Sequence, residues 1–237
     1  MRNLWSDSEA ASILDDDLAL RVYTSRLLGQ EESLVLHGGG NTSVKSTVKD
    51  IFGNDVDVLY IKGSGWDLKT IEKEGFSPER MKECLQLAAM ESLSDPEMVK
   101  QLRLALLDPG APNGSIETLV HASIPYKYVD HTHADAVVVL TNSPQGLEVL
   151  EETFPEFLIL PYEMPGFDLA KQIDSSVKAG QLEGKHGIIL KSHGIFTFSD
   201  DAKESYDLHI EAVTKAEEKI AELRTADKET AQAGDID

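Results

Sequence analysis

The stretch VDHTHADAVVVL, from Val129 to Leu140, places two histidines one residue apart just before a run of aliphatic side chains. In extended backbone successive side chains leave opposite faces, so His131 and His133 share one face while Thr132 takes the other. Two imidazoles on one face can share a metal ion. From this pair alone, two structural histidines at a strand end read equally well, because a zinc ion usually takes at least three protein ligands. Strand-like segments surround the pair, recur at FLILPYE and return at HGIILKSHGIFTF with His193 inside. Between them lie helical patterns, so the chain reads as an α/β domain without internal repeats.

The composition narrows the chemistry. A chain of 237 residues with 41% hydrophobic side chains can bury one sizeable core. Its single cysteine, Cys84, excludes an intrachain disulfide framework and any cysteine-rich zinc site, so a metal must be held by histidine and carboxylate. No basic-then-apolar leader opens the sequence, and no run of about eighteen apolar residues occurs. These features point to a soluble protein of a reducing, cytoplasmic compartment. With 42 acidic against 22 basic side chains, the net charge of −20 repels nucleic acid and anionic membranes. An anionic substrate would need local attraction from backbone N–H groups and a few lysines.

That requirement directs attention to the glycines. Asp17 to Leu28 reads as an amphipathic helix stopped by Gly29, with Leu18, Val22 and Leu28 facing inward. LVLHGGGNTSVK then reads as an apolar strand running into three glycines and Asn41, with a β-branched return through Thr42 and Val44. A second strand, VDVLYIKGSGWDL, ends in the turn from Gly63 to Gly65. Ser77-Pro78-Glu79 reads as a helix start, and Asp95-Pro96-Glu97 opens another helix. SIETLVHAS predicts a short helix from Ser115 that sets Glu117 and His121 four apart on one face. The last helix is expected from Asp201 to Leu223, with a polar, disordered tail over residues 226–237. Two strand-to-glycine turns within seventy residues suggest loops at which a ligand can approach backbone.

The third histidine, His193 in SHGIFTF, stands at a break in an apolar strand, where an imidazole can face a cleft or merely serve a turn. Taken with the close pair and with a carboxylate on a helix start shortly before it, it completes a set of the kind that holds catalytic zinc, three nitrogens and an open position. No glycine-rich dinucleotide fingerprint occurs, which argues against nicotinamide chemistry in this chain.

The ordered set HGGGNTS, YIKGSGWD, SIETLVHA, VDHTHADA and KSHGIFTF resembles the class II aldolase/adducin family. Its phrasing is most similar to the aldolase domain at the front of bifunctional rhamnulose-phosphate aldolase/alcohol dehydrogenases. The resemblance runs from about Asp17 to Leu223 and implies a domain over residues 1–225. It implies a three-layer α/β/α fold around a mainly antiparallel sheet, assembled as a homotetramer with sites between subunits. It also implies a Zn2+ or other divalent ion on His131, His133 and His193, with Glu117 as acid/base and, when no substrate is bound, a further ligand.

A phosphate cradle is implied at Gly40 and Asn41, at Ser64 and Gly65, and at Ser115. There the sequence departs from simple aldolases, which have two serines before the glutamate where this chain has Ser115 and Ile116. The aldehyde-side tyrosine of the family has no match in SPQGLEVLEETFP, leaving Tyr162 as a candidate proton donor. Lys62 or Lys45 could assist in holding the phosphate, but both read as ordinary surface charges, and His121 reads as support for the site or packing rather than a ligand. The implied activity is cleavage of a ketose 1-phosphate of the rhamnulose or fuculose type into dihydroxyacetone phosphate and an aldehyde. A 4-epimerase, a sugar-phosphate dehydratase and a non-catalytic adducin-like scaffold are the alternatives. Epimerases carry aspartate at the Glu117 position, and the scaffold lacks the metal histidines.

Overall fold

The computed structural model describes residues 1–234, with side-chain surroundings through residue 225. In chain order the elements are α1 (Asp7–Ala10), α2 (Asp17–Gly29), β1 (Asn41–Lys49), β2 (Asp55–Lys62), β3 (Phe76–Arg80), α3 (Met81–Ala88), α4 (Asp95–Ala105) and α5 (Thr118–Ser123). There follow β4 (Tyr128–Thr132), α6 (Asp135–Asn142), α7 (Gly146–Thr153), β5 (Phe157–Leu160), α8 (Phe167–Lys178), β6 (Gly187–Leu190), β7 (Gly194–Ser199) and α9 (Ala202–Gly234). No helix of the described residues is long and apolar enough to cross a membrane.

The strands form one sheet in the order β3-β2-β1-β4-β7-β6-β5, antiparallel except for the β5–β6 pair. Its two faces are covered separately because strand side chains alternate. On β6 and β7, Ile188, Leu190, Phe196 and Phe198 enter a core with α3, α4, α5 and α8, while Ile189 and Ile195 enter a second core with α2, α6, α7 and α9. The result is the expected three-layer arrangement. At its centre the register sets Asn41 of β1 opposite His131 of β4, and His131 opposite Phe196 of β7. These three residues therefore form one row across the middle of the sheet.

A buried ion pair braces that row from the opposite face. Arg21 of α2 binds the Asp130 carboxylate, whose other oxygen accepts from Ser205 of α9 at 2.5 Å. His209 of α9 bridges Thr132 at 2.7 Å and Thr197 at 2.9 Å. Helices α2 and α9 thus grip the residues that alternate with the site-facing ones on β4.

Several local expectations are corrected. Leu34 to Leu36 form the end of a turn and an irregular segment rather than a strand, since Leu34 and Val35 drop directly into the α2/α9 core beside the end of α2. Ser77-Pro78-Glu79 belongs to β3, not to a helix: Pro78 lies opposite Tyr60 on an edge strand, where a missing N–H is tolerated, and the helix begins at Met81. The run after His133 is α6. Val137, Leu140 and Thr141 are buried at helical spacing while Val139 is exposed, so tertiary packing overrides the β preference of the valines. Helix α9 continues past the expected boundary at Leu223 to Gly234, and the side chains of the expected tail lie outside the described residues.

Candidate active site

The three histidines converge from two loops and a strand. His131 sits near the end of β4, His133 lies just beyond it, and His193 occupies the turn between β6 and β7. That turn is forced tight by Ser192, held at φ 57° with its N–H on Thr141 Oγ1 at 3.0 Å. The imidazole centroids stand 4.9 Å (131–133), 5.0 Å (131–193) and 5.2 Å (133–193) apart. One nitrogen from each lies within 4.8 Å of the others.

Glu117 reaches the same point from the start of α5. Its Oε2 is 3.4 Å from His131 Nε2, and its Oε1 is 3.4 Å from His193 Nε2. Neither approach is a hydrogen bond between neutral imidazole and carboxylate. His131 Nδ1 donates to the Ile195 carbonyl at 3.0 Å, which leaves the Nε2 lone pair facing the carboxylate. His131 Nε2 and Glu117 Oε1 are buried without a hydrogen-bond partner. Lone pairs converging on one point are what a cation would relieve, so the residues fit a metal held by three histidines and one carboxylate.

The electrostatics agree. Burial, reinforced by His193 and His133, holds the His131 imidazole well below the usual histidine range. Burial also lowers His133, helped by the Lys62 charge, and takes His193 to about 4. All three are neutral near pH 7, the state that ligates metal. Burial pushes the Glu117 carboxyl up to about 7, with the Asn41 hydrogen bond and the Lys62 charge pulling the other way.

Asn41 anchors Glu117. Its Nδ2 donates to Glu117 Oε2 at 2.7 Å and to Ser115 Oγ at 3.1 Å. Its Oδ1 meets His121 Nε2 at 2.5 Å, and His121 Nδ1 meets Ser43 Oγ at 2.7 Å. Burial keeps His121 neutral. With Nε2–H donating to Asn41 and Nδ1 accepting from Ser43, His121 fixes which way the asparagine amide points. His121 thus holds the asparagine, and the Asn41 side chain orients the carboxylate.

Above these groups lies a cleft of about 600 Å³. Gly40, Asn41, Ser64, Gly65, Ser115, Glu117, His133 and His193 all line it, with Tyr162 among its wall residues and half exposed. The two glycine turns meet: a Cβ on Gly38 would lie 3.2 Å from Gly65 Cα. Gly40, at φ +62°, has no room for a side chain, since a Cβ would come within 2.6 Å of Val35 Cγ1 and 2.8 Å of the His131 carbonyl oxygen.

The expectation for the lysines is corrected for one and altered for the other. Lys62 is buried and lines the cleft, with Nζ on the Gly38 carbonyl at 3.0 Å; burial lowers its ammonium to about 8. Its KGSG setting was the available signal. Lys45 is half buried and ties the His121 and Tyr126 carbonyls at 2.9 and 2.6 Å, outside the cleft lining. Asp135, Val138 and Pro165 line the cleft without having been singled out in the sequence.

A protein-family model for the class II aldolase and adducin N-terminal domain matches residues 19–220, and the chain belongs to that family. The structure of the N-terminal class II aldolase domain of a conserved protein from Thermoplasma acidophilum is 41% identical, with a TM-score of 0.85, covering 93% of this chain and 99% of that one. A sugar-phosphate aldolase from Thermotoga maritima shares the fold at 17% identity and a TM-score of 0.64, covering 90% of this chain and 97% of that one. An L-fuculose-1-phosphate aldolase from Thermus thermophilus does so at 15% and 0.57, covering 88% and 98%. The curated relative named uncharacterized oxidoreductase YuxG, from Bacillus subtilis (strain 168), is 35% identical over 223 residues, which are 93% of this chain. The chain spans about a third of that relative's length, 32%.

Proposed function

We propose that the protein is a divalent-metal-dependent aldolase, with zinc as the expected ion, that cleaves a ketose 1-phosphate of the rhamnulose or fuculose type to dihydroxyacetone phosphate and an aldehyde. The observation that carries this reading is the convergence of three neutral imidazoles and a buried carboxylate beside a cleft walled by two glycine turns, with His133, His193 and Glu117 lining the cleft and His131 fully buried next to them. Class II aldolase relatives support it at the level of the family.

His131, His133, His193 and, before substrate arrives, Glu117 would hold the ion. Bound there, it supplies Lewis-acid stabilisation of the negative charge that develops on the carbonyl and adjacent hydroxyl oxygens when the bond between the third and fourth carbons breaks. Glu117 carries the proton at the third carbon, removing it in the condensation direction and returning it in cleavage. Asn41, clamped by His121, keeps the carboxylate aimed at that carbon. Backbone N–H groups of the Gly40 and Gly65 turns, with Ser64 and Ser115, form the phosphate cradle. Tyr162 is the candidate donor to the aldehyde oxygen. Assembly as a homotetramer is part of this reading and rests on the family resemblance alone.

Incubating the zinc-loaded protein with a panel of ketose 1-phosphates and coupling the products to a dihydroxyacetone phosphate assay tests the reading. Release from one of them is expected. Conversion to an epimer or a dehydrated sugar phosphate without release would replace it by the epimerase or dehydratase reading.

A further inference from the structure

The cleft is assembled from the two sides of β4. From the β1 and β2 side come the glycine turns with Ser64 and Ser115, the latter following Gly114, which is bridged to Gly63 at the end of β2. From the side of β7, β6 and β5, together with α6, come Asp135, Val138, Tyr162 and Ser192. The first side is the one given to the phosphate, so the second faces the aldehyde fragment. Asp135 is the one carboxylate that this second side contributes to the lining. It is the first residue of α6, with its backbone N–H on the Ser33 carbonyl at 2.8 Å and Val138 one turn further along the same helix face. Thr141, one turn beyond Val138, accepts the Ser192 N–H on Oγ1 at 3.0 Å, which ties the turn between β6 and β7 to the same helix.

Ser192 sits at φ 57°, a conformation that glycine adopts freely and serine only with strain. The chain keeps a hydroxyl there nonetheless. Among the described residues no protein group bonds the Asp135 carboxylate or the Ser192 hydroxyl, and both residues are exposed where they line the cleft. A group that only accepts and a group that both donates and accepts, on one side of a cleft, suit the hydroxyls of a ligand. The same carboxylate repels a second anionic group. We infer that Asp135, together with Ser192, determines specificity for the aldehyde fragment, selecting one that is hydroxylated and uncharged and rejecting one that carries a further phosphate or a carboxylate. This role rests on the proposed aldolase reading, which leaves the class of aldehyde open. A carboxylate at this position also suits the positive end of α6. That purely structural role would leave the preference among aldehydes untouched.

The test runs the zinc-loaded full chain in the condensation direction, with dihydroxyacetone phosphate and one of three aldehydes: glyceraldehyde, propanal, which lacks both hydroxyls, or glyceraldehyde 3-phosphate. Wild type, Asp135→Asn, Ser192→Ala and Ser192→Gly are compared by the ratios of kcat/KM between aldehydes. Wild type should prefer glyceraldehyde to each of the others. In Asp135→Asn both preferences should shrink roughly 10-fold. Both Ser192 variants should lose roughly 3- to 10-fold of the preference over propanal, because alanine removes the hydroxyl at unchanged strain and glycine removes both. An effect in Ser192→Gly alone would assign the turn's shape, not the hydroxyl, and overturn the part given to Ser192. Ratios in Asp135→Asn equal to those of wild type overturn the role of Asp135, and so does a loss shared equally by all three aldehydes, since the residue would then act through His133 or the fold. The aldolase reading is checked separately by exchange of the third-carbon proton of dihydroxyacetone phosphate with heavy water. Wild type that exchanges but shows no preference among the aldehydes overturns this role alone, and wild type that neither exchanges nor condenses overturns both.

Discussion

Replacing Glu117 by glutamine removes a proton acceptor and, before substrate arrives, the charged fourth ligand to the ion, while keeping the shape of the side chain. The carboxylate receives one strong hydrogen bond, from Asn41 Nδ2 at 2.7 Å, and a glutamine carbonyl placed on Oε2 keeps it. The other oxygen, Oε1, has no hydrogen-bond partner and stands 3.4 Å from His193 Nε2. Glutamine matches glutamate in shape and keeps the Asn41 hydrogen bond, so stability should stay within about 1 kcal/mol of wild type. The three imidazoles remain, and one metal ion per chain should remain with them. Turnover in the cleavage assay should fall by roughly 10²- to 10⁴-fold, the usual loss with a general acid/base, or about 3 to 5 kcal/mol of barrier. The cleaner assay is exchange of the third-carbon proton of dihydroxyacetone phosphate with heavy water, which needs neither the aldehyde nor its proton donor. Wild type should catalyse that exchange and Glu117→Gln should not, with the ester still bound. A variant that exchanges and turns over at near wild-type rates removes Glu117 from the chemistry. One that loses metal and fold together assigns it a structural role.

Two further outcomes concern what holds the site up. Asp130→Ala strands the Arg21 guanidinium beneath β4 and frees Ser205 from its acceptor, so chemical denaturation should show a loss of about 3 to 5 kcal/mol; a loss under 1 kcal/mol would mean the brace is redundant. Glu79 of β3 is buried with neither carboxyl oxygen partnered, and burial raises it to about 8 from the ordinary 4.5. The folded chain therefore keeps a proton that the unfolded chain releases, and Glu79 contributes stability that is full below pH 4.5 and lost as pH rises through 8. Measured against wild type across that range, Glu79→Gln should gain on the order of 4 kcal/mol of relative stability, and parallel pH–stability curves would refute the buried acid.

How far the sequence could be read follows from where each signal lives. Helices α2 and α4 carry their signals locally: Asp16 caps the first through Ala19 N–H, and Pro96 opens the second. The metal-type residues were legible because a histidine pair at strand spacing, a late histidine before a glycine and a carboxylate on a helix start are chemically unusual in that order. Where tertiary contact decides, local reading fails. The valines of α6 prefer strands, but Val137 and Leu140 are buried only if that segment turns helically over α9. Ser77-Pro78-Glu79 looks like a cap, yet β2 supplies a pairing edge that only the folded sheet contains. For Lys62 the KGSG setting pointed to the turn, but its burial depends on Gly38 meeting Gly65 across two loops of the fold. Asn41 was legible as part of a glycine turn, but its hold on Glu117 required β1 to lie beside β4 in the register that puts Asn41 opposite His131.

If His131, His133 and His193 together hold one divalent ion, metal content reads it out. Wild type and the three single alanine variants would be stripped with chelator, reloaded with zinc, desalted and assayed for bound metal and for the dissociation constant in competition with a chromophoric chelator. Wild type should retain about one equivalent per chain, as a site of three imidazoles and a carboxylate does. Each variant should bind markedly more weakly while keeping its fold, because all three imidazoles face the same point beside Glu117. Wild-type occupancy and affinity unchanged in all three variants would place the metal elsewhere and contradict the account.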